Sequence, residues 1–311
     1  MKAVYVVALL ASLSVAYGGQ QPQFRASTSL VRLEVSVAND SGAIQGLQTA
    51  DFVVEDRGAR QTVRVEESTD VPLDLVLVGE PLPSVAYIAA DMRTRVESGL
   101  SAFFAEVQER DRLAVVAADT PPTRLRPLEF GRPSFGVTAF AKGGDYAAPL
   151  DAISAALQEF VPSDRRRALV AFTNAADFRS TTSYVWLAEM ARRLGPAFVL
   201  VGTPVKVDEK VRAQAVLGSP DGPKIGDEAI AQVSGSVFPA KLQFLARRTG
   251  GITVNLGGGD PQKLIAKMFA WLRTQYVISY EPPAGKGWHP ASVKVTRRGA
   301  AVTVREGYFI D

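Results

Sequence analysis

The sequence predicts an α/β protein: a doubly wound, mostly parallel sheet flanked by a small β-sandwich-like unit made from the N- and C-terminal strands. Three observations lead there. From Val71 onward, short apolar runs alternate with helical stretches, the pattern of a parallel sheet covered on both faces. Before Val71 and after Gln275, apolar and polar residues alternate with period two, as in half-buried antiparallel strands. The composition, 47% hydrophobic and 22% charged over 311 residues, belongs to a chain that buries a core rather than one that stays disordered.

Taken in order, Lys2 precedes an apolar run from Ala3 to Ala16, with small residues at Ala16 and Gly18. This reads as a signal peptide over residues 1–18. The run is shorter than the roughly 20 residues that span a bilayer, and no later stretch spans either. The expectation is a secreted or periplasmic protein with no membrane span in the mature chain. Residues 19–70 form an N-terminal β segment: Val31, Leu33, Val35 and Val37 alternate with Arg32, Glu34 and Ser36, Asn39-Asp40-Ser41-Gly42 is a turn, and 51–56 and 61–65 read as a hairpin around Arg57-Gly58.

Residues 71–275 form the α/β domain. Leu73 to Val78 is an apolar strand broken only by Asp74, followed by a helix with Val96, Leu100, Phe103, Phe104 and Val107 at helical spacing. Strands follow at 113–118, 168–172, 197–201 and 252–255, separated by helices near 150–160, 184–194, 241–248 and 261–274. Thr123 to Leu128 suits an edge strand, and 203–239, rich in Gly, Ser and Pro, reads as a long loop. Residues 276–311 return to β: 276–280, 291–297 and 301–305, the last two joined by a turn at Arg298-Gly299-Ala300. This segment is expected to pack with the N-terminal one, because neither has core enough alone. Tyr276 and Tyr280 share a strand face and are expected to cover the meeting of the β segments with the α/β domain.

Several chemistries are excluded outright. Cysteine is absent, which removes disulfides, thiolate zinc sites and thiol catalysis. His289 is the single histidine, so multi-histidine metal sites are impossible and a Ser-His-Asp triad would depend on it. The formal net charge of +3, with no basic stripe, argues against nucleic acid.

Certain motifs resemble the acidobacterial proteins related to the von Willebrand factor A domain. They are Gly46-Leu47-Gln48-Thr49-Ala50-Asp51-Phe52-Val53-Val54-Glu55-Asp56-Arg57-Gly58, then Leu245-Ala246-Arg247-Arg248-Thr249-Gly250-Gly251. Leu272-Arg273-Thr274-Gln275-Tyr276-Val277-Ile278-Ser279-Tyr280-Glu281-Pro282 and the ending Val304-Arg305-Glu306-Gly307-Tyr308 complete the set, in order along the chain. The resemblance implies a central A-type domain and an adhesion-like, non-enzymatic interaction module. It also implies a metal-ion-dependent adhesion site built from Asp-x-Ser-x-Ser, a Thr and an Asp on loops at the strand ends, where Mg²⁺ finds hard oxygen ligands.

This chain departs from that pattern. The expected Asp falls on Gly79, the two Ser on Pro81 and Pro83, the Thr within Gly143-Gly144-Asp145, and the last Asp on Asn174. The site is therefore expected to be degenerate, with no cofactor and an unknown protein partner. The candidate binding crest comprises Glu80, Pro81, Leu82, Pro83, Ser84, Asp145, Asn174 and Asp177. One alternative is a divalent-metal (Mg²⁺) adhesion site with atypical ligands such as Glu80, Asp145 and Asp177. Another is a serine hydrolase using Ser84 or a serine of Ser234-Gly235-Ser236. Arg165-Arg166-Arg167, ahead of a strand, reads as a solvated basic turn with some capacity for an anion.

Overall fold

A computed structural model describes residues 30–39, 42–81, 90–140, 147–161, 163, 165–173, 177, 179–202 and 240–310. The signal-like residues 1–18, Asp40-Ser41, Leu82, Pro83, Ser84, Asp145, Asn174 and the 203–239 loop lie outside the described residues.

The N-terminal segment supplies β1 (Val31–Asn39), β2 (Gly42–Ala43), β3 (Phe52–Asp56), β4 (Ala59–Arg60) and β5 (Arg64–Ser68). The middle supplies β6 (Leu73–Gly79), α1 (Ala90–Glu106), β7 (Arg112–Ala117), β8 (Thr123–Phe130), α2 (Pro149–Leu157) and β9 (Arg166–Phe172). It continues with α3 (Tyr184–Leu194), β10 (Ala197–Gly202), α4 (Ala240–Arg248), β11 (Thr253–Asn255) and α5 (Pro261–Arg273). The last segment holds β12 (Gln275–Tyr280), β13 (Gly287–Val295), β14 (Ala301–Thr303) and β15 (Gly307–Ile310).

The middle strands form one sheet in the order β11-β10-β9-β6-β7-β8. All its pairings are parallel except β7 with β8, so β8 is the antiparallel edge. Every residue of β6 is buried, because the two sheet faces carry separate cores. Leu73, Leu75 and Leu77 pack with Leu100 and Phe103 of α1 and Phe269 of α5. Val76 and Val78 pack with Ile153 and Leu157 of α2, Leu187 of α3 and Leu245 of α4. Asp74, the polar break in that run, is fully buried and receives Arg165 at 2.7 Å and the Arg112 guanidinium. Two positive partners make an internal carboxylate tolerable.

Local chemistry sets the helix ends. Ser183 accepts from Trp186 N to cap α3, and Asp260 accepts from Gln262 N at 2.9 Å ahead of Pro261 in α5. After α4, Gly250 takes φ +71°, and a Cβ on Gly251 would stand 1.9 Å from the Phe198 carbonyl oxygen. The paired glycines of the Arg248-Thr249-Gly250-Gly251 stretch thus answer two needs, a left-handed turn and a close backbone approach.

The terminal segments form two antiparallel sheets, β14-β1-β12-β5 with β2 beside β1, and β15-β13-β3-β4. Val31, Leu33, Val35 and Val37 face Phe52, Val54, Tyr276, Ile278, Val293 and Tyr308 in one shared core. The alternating faces of the two ends therefore cover each other.

Three local expectations change, and one turn holds with an addition. Phe52–Asp56 does turn back at Arg57-Gly58, but onto β4; β5 leaves for the other sheet and pairs with β12, Gln275 opposite Ser68. The hairpin's last link is Gln61 N donating to Val54 O at 2.9 Å. The turn at Arg298-Gly299-Ala300 joins strands of different sheets, since β13 pairs with β3 and β15 while β14 pairs with β1. Tyr276 and Tyr280 point into the sandwich core rather than toward the α/β domain. Finally, Arg166 is no solvated turn residue: it is 3% exposed, donates to the Leu272 and Trp271 carbonyls and Ser36 Oγ, and stacks on Trp271.

Candidate functional site

In an open parallel sheet, the loops at the carboxyl ends of the strands converge, and ligands bind there. Here those ends are Gly79 of β6, Ala117 of β7, Phe172 of β9 and Gly202 of β10. The ladder runs past the last strand residues: Ala118 N donates to Gly79 O at 2.8 Å, Glu80 N to Phe172 O at 3.2 Å, and Thr173 N to Val201 O at 3.0 Å. The crest is rigid up to these positions.

Gly79, where the resembled family places its first metal-binding Asp, lies under an aromatic ring. A Cβ built on Gly79 would be 2.5 Å from Phe140 Cε1. Phe140 ends the 3-10 turn Val137–Phe140 and is 1% exposed. The ring therefore occupies the space a side chain would need.

Glu80 is expected on the exposed binding crest or as an atypical metal ligand. It is instead 5% exposed, and Thr173 Oγ1, itself in a buried residue, donates to its Oε1. A buried carboxylate needs such a donor. Pro81 is buried as well.

Asp177 has different partners. Its Oδ1 accepts from Ser180 N at 2.9 Å and Arg179 N at 3.3 Å, while Oδ2 is buried without a hydrogen-bond partner among the described residues. The same loop is tied to α2. Ser180 Oγ accepts from Leu150 N at 3.0 Å and Asp151 N at 3.2 Å, and Asp151 accepts from Thr182 N at 2.7 Å and Thr181 N at 3.0 Å. The first turn of α2 lacks a side-chain cap of its own, and a serine about thirty positions on supplies it. Burial pushes the Asp151 carboxyl up, but the hydrogen bonds from Thr182 and Thr181 outweigh it and hold the pKa below the ordinary value.

Sequence reasoning missed two crest features. Asp119, just beyond β7, keeps Oδ1 buried without a hydrogen-bond partner among the described residues; its position directly after the apolar run Leu113 to Ala118 is the signal that marks it. Phe140 carried no local signal, because its role depends on a long-range contact. Among the described residues, no group of three or more His, Asp or Glu is arranged to hold a metal ion.

His289 lies in the sandwich, far from the crest in the topology. It is fully buried, with Nδ1 3.3 Å from Asp56 Oδ1, Nε2 2.9 Å from Gly285 O, and its ring stacked on Tyr308. Tyr280 and Tyr308 both donate to Asp56 Oδ2. Burial and the neighbouring Asp56 push both phenols well above the ordinary tyrosine value. This is a closed core network.

No family model matches the chain, and no curated protein matches it. Solved structures are similar at the level of architecture. One is the conserved hypothetical protein BatB from Bacteroides thetaiotaomicron, at 16% identity and TM-score 0.43, over 64% of this chain and 98% of that one. Another is a von Willebrand factor type A protein from Catenulispora acidiphila, at 11% identity and TM-score 0.43, over 93% and 76%. A third is proximal thread matrix protein 1 from the mussel byssus, at 11% identity and TM-score 0.46, over 69% and 49%. At these identities no residue role passes from those proteins to this one.

Proposed function

We propose that this is an exported, non-enzymatic interaction module of the von Willebrand factor A type, whose crest recognises a protein partner without a divalent cation. One observation carries the reading: the Phe140 ring fills the space over Gly79, where the first acidic ligand would stand. Glu80, the next carboxylate, is turned to Thr173. Mg²⁺ sheds water reluctantly and needs charged oxygens to offset that cost. The single histidine is enclosed in the sandwich core, which leaves a serine hydrolase without its usual base. Prolines at 81 and 83, whose rings fix φ, would let the segment they bracket present the contact at low ordering cost.

A second reading is favoured by Asp119 Oδ1 and Asp177 Oδ2, two buried carboxylate oxygens without hydrogen-bond partners among the described residues. They could take a cation. Thermal melting with EDTA and with Mg²⁺ or Mn²⁺ separates the two. The first reading expects no saturable shift below millimolar metal, about −4 kcal/mol or weaker, and partner capture that survives EDTA and is lost in Leu82→Asp. A micromolar Mg²⁺ transition abolished by Asp119→Asn or Asp177→Asn would establish the second.

A further inference from the structure

At the opposite end of the sheet from the crest, one β9 length of about 20 Å away, a cavity of about 160 Å³ opens between the α/β domain and the sandwich. Its charged lining includes Arg32 and Glu34 from β1, Arg166 and Arg167 at the amino end of β9, and Arg305 beyond β14, with Ser163 at the rim. Four of these are arginines and one is an acid.

Among the described residues, one carboxylate, Glu34, faces these four cations. Arg166 Nε is buried without a hydrogen-bond partner among the described residues and makes a long ion pair, 3.6 Å, with Glu34 Oε2. Arg305 spends Nε on Gly307 O at 2.6 Å and Nη2 on Arg192 O at 3.2 Å. Those carbonyls orient the guanidinium but carry no countercharge. The side chains of Arg32 and Arg167 form no hydrogen bond or ion pair among the described residues. Burial first, and then the charge of Arg167, lowers the Arg305 pKa, while Glu34 works in the other direction. Arg165 also lines the cavity, but its Nε is engaged by Asp74 Oδ1 at 2.7 Å.

We propose that this junction cavity binds a small tetrahedral oxyanion of the phosphate or sulfate class, held by Arg32, Arg167 and Arg305 with Arg166 Nε directed at it. The volume is that of roughly five waters, the size of a five-heavy-atom anion. Arginine presents several N–H groups in a fixed fork suited to such oxygens. The occupant would join β1 of the sandwich to β9 of the α/β domain. This site is independent of the crest reading and involves none of its residues.

The test is thermal melting and calorimetry of the full chain, with sodium phosphate and sodium sulfate titrated against sodium chloride at matched ionic strength. The expected result is a saturable rise in melting temperature with phosphate or sulfate, weakened about tenfold or more in Arg167→Gln. Arg32→Gln, an exposed strand position, gives the same answer should Arg167→Gln fold poorly. Arg64→Gln, exposed and paired with Glu66 outside the cavity, should titrate like the parent. A phosphomonoester such as phenyl phosphate binding more tightly than inorganic phosphate would identify the occupant as a group on a larger molecule. Equal binding would identify it as the free ion. Shifts matched by chloride, or unchanged in both Arg167→Gln and Arg32→Gln, would overturn the proposal.

Discussion

Replacing Asp111 with alanine should unfasten the α/β domain at its base. Asp111 is fully buried just before β7. Arg273, the last residue of α5, donates to Oδ2 at 2.6 Å and to Oδ1 at 3.1 Å. The same carboxylate accepts from Leu73 N at 3.0 Å and Gln108 N at 2.8 Å. One side chain therefore ties the start of β6, the end of α1 and the end of α5. Removing one member of a buried ion pair costs about 3–5 kcal/mol, because the other charge stays behind. At about 2–4 °C per kcal/mol for a chain of this size, the melting temperature should fall by about 6–20 °C. Asp111→Asn keeps an acceptor for Leu73 N and should lose less. Asp111→Ala combined with Arg273→Met should recover part of the loss, since the stranded cation is gone. Burial pushes the Asp111 carboxyl up, but hydrogen bonds from Arg273, Gln108 N and Leu73 N outweigh it, and the native pKa lies below the ordinary 3.8. The pair's contribution is complete above that ordinary value and is lost as pH falls through the lowered native one. The parent should therefore lose stability more steeply than Asp111→Asn below about pH 4. Urea melts followed by circular dichroism read both effects. An Asp111→Ala protein within about 1 kcal/mol of the parent would refute the staple.

Gly79→Ala should cost about 1–3 kcal/mol through collision with Phe140, and Phe140→Leu should relieve part of it; additive losses in a double-mutant cycle would refute the contact. Tyr280→Phe removes one of the two hydroxyls donated to Asp56 and should cost about 1–3 kcal/mol, read by urea denaturation, while a neutral effect would mean Asp56 is satisfied otherwise. Asp151→Ala should release the 180–182 loop from α2 for about 1–2 kcal/mol, seen as faster amide exchange at Thr181 and Thr182. That difference from the parent should fade as pH falls through the lowered Asp151 pKa, and unchanged exchange at neutral pH would sink the tie.

The α/β core was legible because its signals are local. Leu73 to Val78 can only be a strand buried on both faces, and Val96 to Phe104 has one helical period. The sandwich was legible from need, since two alternating segments each lacked a cover. What escaped depended on distant partners. Nothing near Val63 or Val65 indicates that β5 will join β12 rather than β3. Three consecutive arginines look solvated until Trp271 and Ser36 are placed around Arg166. At the crest, the loss of acidic residues at Gly79 could be read directly, but not that Phe140 fills the space, nor that Thr173 engages Glu80. Asp119 was visible in the sequence and passed over, because its isolation is a property of its surroundings.

The pairing of Ser68 with Gln275 gives the α/β domain an unusual standing in the chain. Directly opposed residues of antiparallel strands lie about 5 Å apart, a gap that a two-residue turn closes. Some two hundred residues therefore occupy the place of a hairpin loop on an otherwise complete β-sandwich. Both tethers leave from one end of two neighbouring strands. A pull on the crest would draw β5 and β12 in the same direction and load them together along their length. The sandwich would meet such a force in shear, with many ladder bonds sharing it at once, rather than being unzipped one bond at a time.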